Sequence, residues 1–364
     1  MSGVSEQQRL LLYIGSYAEA ADSGLYVVEM DPSTGDLTIL SEASGLKNPT
    51  FLNVDADKRK LYAISETKTA SGDRIGEAVC FAIDPAAGSL SELNREFTLQ
   101  PSTSHIQRDA NSRFIAVSGY HGGNVGLIAL RDDGLIGEKV DEQQHEGQGA
   151  DPVRQDRPHP HSALFSPDGR YVFIADLGLD KVVIYRLDQE GGKLTYHGEV
   201  KTEPASGPRH LAFHPNGKWL YSINEVNSSL TSFAFDAEAG ALNIIDSIST
   251  LPGSFSGENT TAEVAISKDG KYLYGSNRGH DSLAVFAIDQ ANGKLSLIQH
   301  ISSEGGHPRH FALTPSGDYL VAANRDSDNL AVFRVDAHTG KLAFTGKTVQ
   351  ISKPVCVQPV LFQL

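Results

Sequence analysis

Short apolar runs alternate with turn residues and polar loops along the whole chain. One type of run recurs seven times, as "LYIGSY", "LYAISE", "FIAVSG", "VFIADL", "LYSINE", "LYGSNR" and "LVAANR". The second residues of successive copies lie between 47 and 58 positions apart. A period of this size indicates an array of similar structural units.

Each unit shows the same order of elements. An apolar run such as "HLAFHPNG" ends in a glycine turn, and the "LYSINE" type of run, a third run such as "SLAVFAID" and a fourth after "GKL" follow it. Short runs rich in Val, Ile, Phe and Tyr between turn residues are typical of β-hairpins. Seven such units predict an all-β fold, a seven-bladed β-propeller of four-stranded antiparallel blades, which forms a single domain over residues 1–364.

The two ends of the chain complement each other. Six units have an apolar first-strand segment, and these begin near Pro49, Ser104, Pro160, Pro208, Ala262 and Pro308. The N-terminal unit instead starts at its second strand, whereas "KPVCVQPV" from Lys353 has the pattern of a first strand. We therefore expect the C-terminal strand to complete the first blade and close the ring, which removes the open sheet edges.

The composition of the chain disfavours several classes of binding partner. The chain has 31 Lys and Arg against 45 Asp and Glu, a formal charge of -14, which disfavours nucleic acids and anionic membranes. Its two cysteines are too few for a disulfide framework, and no apolar run approaches the roughly 20 residues that cross a bilayer. The apolar run near the start is also too short for a signal sequence. We expect a cytoplasmic protein, a monomer or weak homo-oligomer, with no nucleic-acid or membrane partner.

Polar side chains should collect at one mouth of the central channel. The first strand of a blade crosses the ring and the second returns, so the start of the first and the end of the second share a face. First strands contribute His105, His161, Arg209, His210, Glu263, Arg309 and His310. Second strands contribute Glu66, Asp176, Asn224, Glu225, Asn277, Arg278, Asn324 and Arg325. Some of these arginines can form structural ion pairs with the glutamates. Gathering so many charged groups near one axis is nevertheless costly unless a ligand uses them, which predicts a functional site.

A long polar loop leads into this mouth. The segment "DEQQHEGQGADPVRQDRPHPHS" joins Asp141 to Ser162, and loops of this length in compact domains are usually functional or mobile. We expect it to overhang the mouth and to bring Arg154, Gln155 and His159. Metal binding by its histidines is disfavoured because no Cys or carboxylate recurs at a ligand spacing. We predict neither a metal nor a cofactor.

Several stretches resemble the seven-bladed lactonase family. They include "RQDRPHPHSALFSPDGRYVFIADLGLDKV", "GPRHLAFHPNGKWLYSINE" and "AEVAISKDGKYLYGSNRGHDSLAVFAID", and the resemblance covers essentially the whole chain. That family contains the bacterial propeller-type 6-phosphogluconolactonases and the fungal carboxy-cis,cis-muconate cyclase. Similarity to the cyclase implies a catalytic set of His161, Arg209, Glu225 and Arg278, which the topology already brings to one mouth.

The resemblance implies lactone chemistry. Opening a lactone needs a base that activates water and donors that stabilise the oxyanion. Glu225 or His161 would be the base, while Arg209 and Arg278 would stabilise the oxyanion or grip an anionic group. Further contacts to an anionic lactone are expected from Arg154, Gln155, His159, His210, Glu263, Arg309, His310 and Arg325.

Three functions fit these residues. The first is hydrolysis of 6-phosphogluconolactone in the pentose phosphate pathway, and the second is a cyclase-like reaction of a carboxylated muconolactone. The third is a non-enzymatic propeller that serves as a protein-interaction platform, although such platforms rarely need His, Glu and Arg directed into the axis. We predict a lactonase of the first kind, and the sequence does not separate it from the second.

Overall fold

Seven four-stranded antiparallel sheets form a closed ring in a computed structural model, which describes residues 8–364. The predicted β-propeller is confirmed. Residues 1–7, the first part of the segment considered for a signal sequence, lie outside the described residues. In residues 8–364 no helix is long or apolar enough to cross a bilayer.

The blades follow one another along the chain. Blade 1 contains β1 (Gln8–Ser16), β2 (Leu25–Met30) and β3 (Leu37–Ala43). Blade 2 contains β4 (Leu52–Asp55), β5 (Lys60–Lys68), β6 (Arg74–Asp84) and β7 (Ser89–Phe97). Blade 3 contains β8 (His105–Arg108), β9 (Phe114–Gly119), β10 (Asn124–Leu130) and β11 (Ile136–Gln144). Blade 4 contains β12 (Pro160–Phe165), β13 (Tyr171–Asp176), β14 (Lys181–Asp188) and β15 (Lys193–Lys201).

The remaining blades repeat this order. Blade 5 contains β16 (Pro208–Phe213), β17 (Trp219–Asn224), β18 (Ser229–Asp236) and β19 (Ala241–Ser249). Blade 6 contains β20 (Thr260–Ile266), β21 (Tyr272–Arg278), β22 (Ser282–Ile288) and β23 (Leu295–Ser302). Blade 7 contains β24 (Pro308–Leu313), β25 (Tyr319–Asn324), β26 (Asn329–Val335) and β27 (Leu342–Gln350). Two short 3-10 turns follow β13 and β25, at Leu177–Leu179 and Arg325–Ser327.

The C-terminal strand closes the ring as expected. Strand β28 (Pro354–Gln363) pairs antiparallel with β1 and becomes the innermost strand of blade 1. Its residues Val355, Cys356 and Val357 are buried. The other innermost strands begin within three residues of their predicted starts, the largest difference being Leu52 instead of Pro49.

Apolar residues pack between neighbouring blades, which explains the repeated sequence. Seven buried clusters each join two adjacent blades. The tyrosine at the second position of the repeat adds a hydrogen bond across this contact. Tyr62, Tyr221 and Tyr274 each donate their hydroxyl to a glycine carbonyl in a turn of the next blade, over 2.7, 2.9 and 3.0 Å.

Candidate active site

The innermost strands of blades 4, 5 and 7 carry an extra residue at the mouth. In blade 5, Pro208 pairs with Asn224 and His210 pairs with Ile223, so Arg209 has no partner of its own. His161 and Arg309 are the corresponding extra residues in blades 4 and 7. A β-bulge of this kind turns a side chain away from the regular alternation of a strand. Both members of the Arg209–His210 pair can therefore point towards the channel.

One carboxylate gathers three arginines. Arg209 Nε donates to Glu225 Oε2 over 3.0 Å, and Arg278 Nη2 lies 2.8 Å from the same oxygen. Arg154 Nη2 donates to the other oxygen, Oε1. Because Glu225, Arg209 and Arg278 are all buried, the attraction between them is weakly screened by solvent. The predicted catalytic residues of blades 5 and 6 therefore form one charged cluster.

The cluster has a net positive charge that shifts the ionisation of its members. Although burial alone would raise the pKa of the Glu225 carboxyl, the charges of Arg278, Arg209 and Arg154 hold that pKa far below its usual range. Burial, together with the neighbouring guanidinium groups of Arg278 and Arg309, lowers the pKa of Arg209 to about 9. Arg209 stays charged at neutral pH, and Glu225 is a very weak base.

His161 adjoins this cluster. Its ring lies 5.1 Å from that of His210, edge to face, and 5.7 Å from that of Tyr120. Its Nδ1 is buried and hydrogen-bonds no protein group in residues 8–364. Burial and the nearby charge of Arg209 lower the pKa of His161 well below its usual value, so the imidazole is neutral at pH 7. Because the ring also lines the cavity at the mouth, this neutral imidazole is able to accept a proton from a water there.

The long loop between β11 and β12 reaches the mouth, and its predicted residues have different positions. Arg154 contacts Glu225, whereas the fully buried Gln155 donates to the carbonyl of Leu177 and to Asp180 over 2.8 and 2.6 Å. The Gln155 amide thus holds the loop against blade 4 and does not face the mouth.

His159 also anchors this loop. Its Nδ1 donates to the carbonyl of Tyr120 over 2.7 Å, and its ring stacks on that tyrosine at 4.3 Å. Asp176 holds both ends of the loop, because it bonds His145 Nδ1 at 2.6 Å and the backbone N–H of His159 at 2.8 Å. These contacts use the histidines that could have bound a metal together with His161. No group of three or more His, Cys, Asp or Glu side chains suited to a metal occurs between residues 8 and 364.

A second group of hydrogen-bonded polar side chains lies deeper in the channel. Arg209 Nη1 donates to His210 Nε2 over 3.2 Å, and His210 Nδ1 donates to Glu263 over 2.9 Å. His310 approaches the same carboxylate oxygen at 3.1 Å. These three predicted ligand contacts line a separate cavity of about 390 Å³, together with His105. This group supports Arg209 from below and is not part of the mouth.

The mouth itself is a cavity of about 280 Å³. It is lined by His161, Glu225, Arg309, Tyr17, Tyr120 and a run of hydroxyl residues at 102–104. Arg325, also predicted to contact substrate, instead bonds Asp326 at 2.6 Å and lines a different cavity.

Tyr17 is a lining residue that sequence reasoning missed. It occupies the sixth position of "LYIGSY", the position that Glu225 and Arg278 hold in their own copies of the repeat. Alignment of the repeats therefore contained the signal. Tyr120 and the Ser and Thr residues at 102–104 do not occupy a repeat position that would have identified them.

Comparison with known proteins agrees with this architecture. Residues 11–359 match the family described as "Lactonase, 7-bladed beta-propeller". A 6-phosphogluconolactonase of Bacillus subtilis is 34% identical over 346 residues, which cover 95% of this chain and 97% of that protein. A 6-phosphogluconolactonase of Formosa agariphila is 34% identical over 310 residues, 83% of this chain and 86% of that protein. The structure of a periplasmic gluconolactonase from Pseudomonas aeruginosa superposes with a TM-score of 0.90 at 32% identity, covering 97% of this chain and 99% of that one.

Proposed function

The chain belongs to the lactonase family of seven-bladed β-propellers, and we propose that it hydrolyses 6-phosphogluconolactone to 6-phosphogluconate. This is the lactone-opening step of the pentose phosphate pathway. Two relatives that bear the name 6-phosphogluconolactonase support the choice of substrate. A positively charged mouth on a chain of net charge -14 supports an anionic substrate.

One observation carries the proposal: a partner-free histidine beside a carboxylate that is fully occupied by arginines. Both oxygens of Glu225 accept hydrogen bonds from guanidinium groups, whereas the His161 ring lines the mouth and neither of its nitrogens hydrogen-bonds a protein group in the described residues. Of the two bases that the resemblance leaves open, His161 is therefore the one able to take a proton from water. Glu225 instead fixes the arginines.

The reaction follows from these roles. A water oxygen attacks the lactone carbonyl carbon while His161 accepts a water proton, and the carbonyl oxygen becomes an oxyanion. Arg209 and Arg278, which Glu225 holds next to the mouth, stabilise that oxyanion by their positive charge. The bond from the carbonyl carbon to the ring oxygen then breaks, and the ring oxygen receives the proton from His161 to become a hydroxyl. The new carboxylic acid releases its proton to solvent.

Substrate binding also changes the pKa of His161. The charge of Arg209 and that of Arg309 help to keep the His161 imidazole unprotonated in the free protein. A bound anion offsets those charges, which raises the pKa of His161 towards the range in which a histidine is an effective general base. The free protein thus keeps a neutral imidazole, and the complex has a stronger base.

The test is direct. Purified protein is assayed with 6-phosphogluconolactone, with correction for spontaneous hydrolysis. Arg278→Ala should lower kcat by roughly a hundredfold to a thousandfold, the usual effect of removing one group that stabilises the oxyanion. His338→Asn, a change of an exposed histidine in a turn of blade 7, is the control and should leave the rate unchanged. A wild-type rate no higher than the spontaneous one would overturn the proposal.

We also propose a cytoplasmic location. The substrate is a phosphorylated intermediate, and both cysteines are free and buried, which suits a reducing compartment. One structural relative is named a periplasmic enzyme, so fractionation of the native host is the appropriate measurement. Recovery of the protein in the periplasmic fraction would refute this location.

A further inference from the structure

The four arginines in and around the mouth differ in how their charge is balanced. Arg154, Arg209 and Arg278 all contact Glu225. Arg309 has no carboxylate and no hydrogen-bond acceptor as a side-chain partner in residues 8–364. Its guanidinium instead lies over the ring of Tyr17, 5.5 Å from the centroid. Stacking on an aromatic face orients a guanidinium but leaves its edge N–H donors free.

The acidic groups of the same cavity do not balance Arg309. Glu66 is bonded by Arg74 at 3.0 Å and by the amide of Asn48 at 3.3 Å. Glu225 is already shared by three arginines. The positive charge of Arg309 therefore remains available to an incoming anion.

The surroundings of Arg309 fit a phosphate group. Thr50 and Ser102 line the cavity with hydroxyl groups that hydrogen-bond no protein group in residues 8–364. The neighbouring hydroxyls are already used, because Ser104 donates to the carbonyl of Ser118 over 3.0 Å and Thr103 shares a hydrogen bond with Thr98. Phosphate oxygens accept hydrogen bonds from hydroxyls and bind guanidinium in a bidentate manner. The reacting groups His161 and Glu225 line the same cavity, so one small molecule can meet both regions.

From this arrangement we infer that Arg309, oriented by Tyr17, binds the phosphate of the substrate and sets the preference for phosphorylated over unphosphorylated sugar lactones. The inference rests on the proposed function. This role for Arg309 sets the orientation of the bound substrate, with the lactone ring towards His161 and Glu225 and the phosphate towards Tyr17.

Two substrates that differ only in the phosphate test this role. Arg309→Met should lower kcat/KM for 6-phosphogluconolactone by roughly tenfold to a hundredfold, chiefly through KM, because the phosphate contact is the same in ground and transition states. The value for glucono-1,5-lactone should change by less than about twofold, since that substrate lacks the group that Arg309 binds.

Arg334→Met is the matched control. Arg334 also belongs to blade 7 and lies 5.0 Å over the ring of Tyr319, so its loss removes a similar stacking contact away from the mouth. Neither substrate should be affected. Melting temperatures of all variants show whether a change in rate reflects loss of the fold.

The outcomes separate the inference from the function on which it rests. No turnover of 6-phosphogluconolactone by the wild type would overturn the proposed function. Normal turnover by the wild type with equal losses on both substrates in Arg309→Met would overturn the inference alone. If Arg309→Met does not fold, Arg309→Lys replaces it, and the binding constants of 6-phosphogluconate and gluconate are compared. A larger loss for the phosphorylated compound supports the role, and equal losses refute it.

Discussion

Replacement of Glu225 by glutamine tests whether the arginines of the mouth depend on one carboxylate. Glutamine keeps the size of the side chain and removes its charge. Arg209 and Arg278, of which 2% and 5% of the side-chain surface is exposed, would then lie close together without a carboxylate in contact with either. Arg154 is 36% exposed and can turn into solvent, so the two buried arginines determine the cost.

The expected loss of stability follows from that burial. Removing one partner of a buried ion pair typically costs about 3 to 5 kcal/mol. With an unfolding entropy of about 2.1 cal/mol/K per residue, a chain of 364 residues should melt about 4 to 7 °C lower. Added inorganic phosphate should recover part of this loss, because a bound anion replaces the missing charge, and should stabilise Glu225→Gln more than the wild type.

Thermal unfolding with and without phosphate measures both effects. Glu66→Gln is the control, because Glu66 lines the same cavity but pairs with Arg74, which is 56% exposed. An exposed pair of this kind is worth about 0 to 1 kcal/mol, so the control should melt within about 1.5 °C of the wild type. If Glu225→Gln also melts within that range and responds to phosphate like the wild type, the arginines do not depend on this carboxylate.

Three further predictions concern catalysis, metals and ring closure. His161→Asn should lower kcat and leave the fold intact. In the wild type the neutral imidazole is the active form and its pKa is lowered, so kcat/KM should stay level down to pH 6.5 and decline only at lower pH. A decline centred at or above pH 6.5 would contradict this assignment. Exhaustive treatment with EDTA should leave activity unchanged, and restoration of a lost activity by a divalent ion would show a missed metal site. Deletion of residues 353–364 removes β28 and exposes the edge of β1, so the truncated chain should be insoluble or strongly destabilised. An unchanged melting temperature would refute this role of the strand.

The periodic features of the fold could be predicted from the sequence. Seven copies of one apolar run fix the number of blades, and the unmatched segment after Lys353 predicts the closing strand. These features depend on the alternation of apolar and turn residues, which every blade repeats. The mouth was predictable for the same reason, because strand order alone brings Arg209, Glu225 and Arg278 to one face.

The arrangement of charges within the mouth could not be predicted in this way. Regular alternation would place Arg209 and His210 on opposite faces, and a single inserted residue in the strand changes that outcome. Whether a long loop directs Arg154 or Gln155 into a cavity depends on buried contacts such as the one from Gln155 to Asp180. The sequence also does not tell which arginine lacks a counter-ion, because that depends on distances between side chains of different blades.

The closure of the ring by β28 has a consequence for the order in which the site is completed. During synthesis β28 leaves the ribosome after the blades that carry His161, Arg209, Glu225 and Arg278. The contact between Arg309 and Tyr17 joins blade 7 to blade 1, so it crosses the seam that β28 seals. A nascent or partly opened ring would therefore hold the catalytic cluster but lack an oriented phosphate contact. The phosphate contact can therefore form only once the ring has closed.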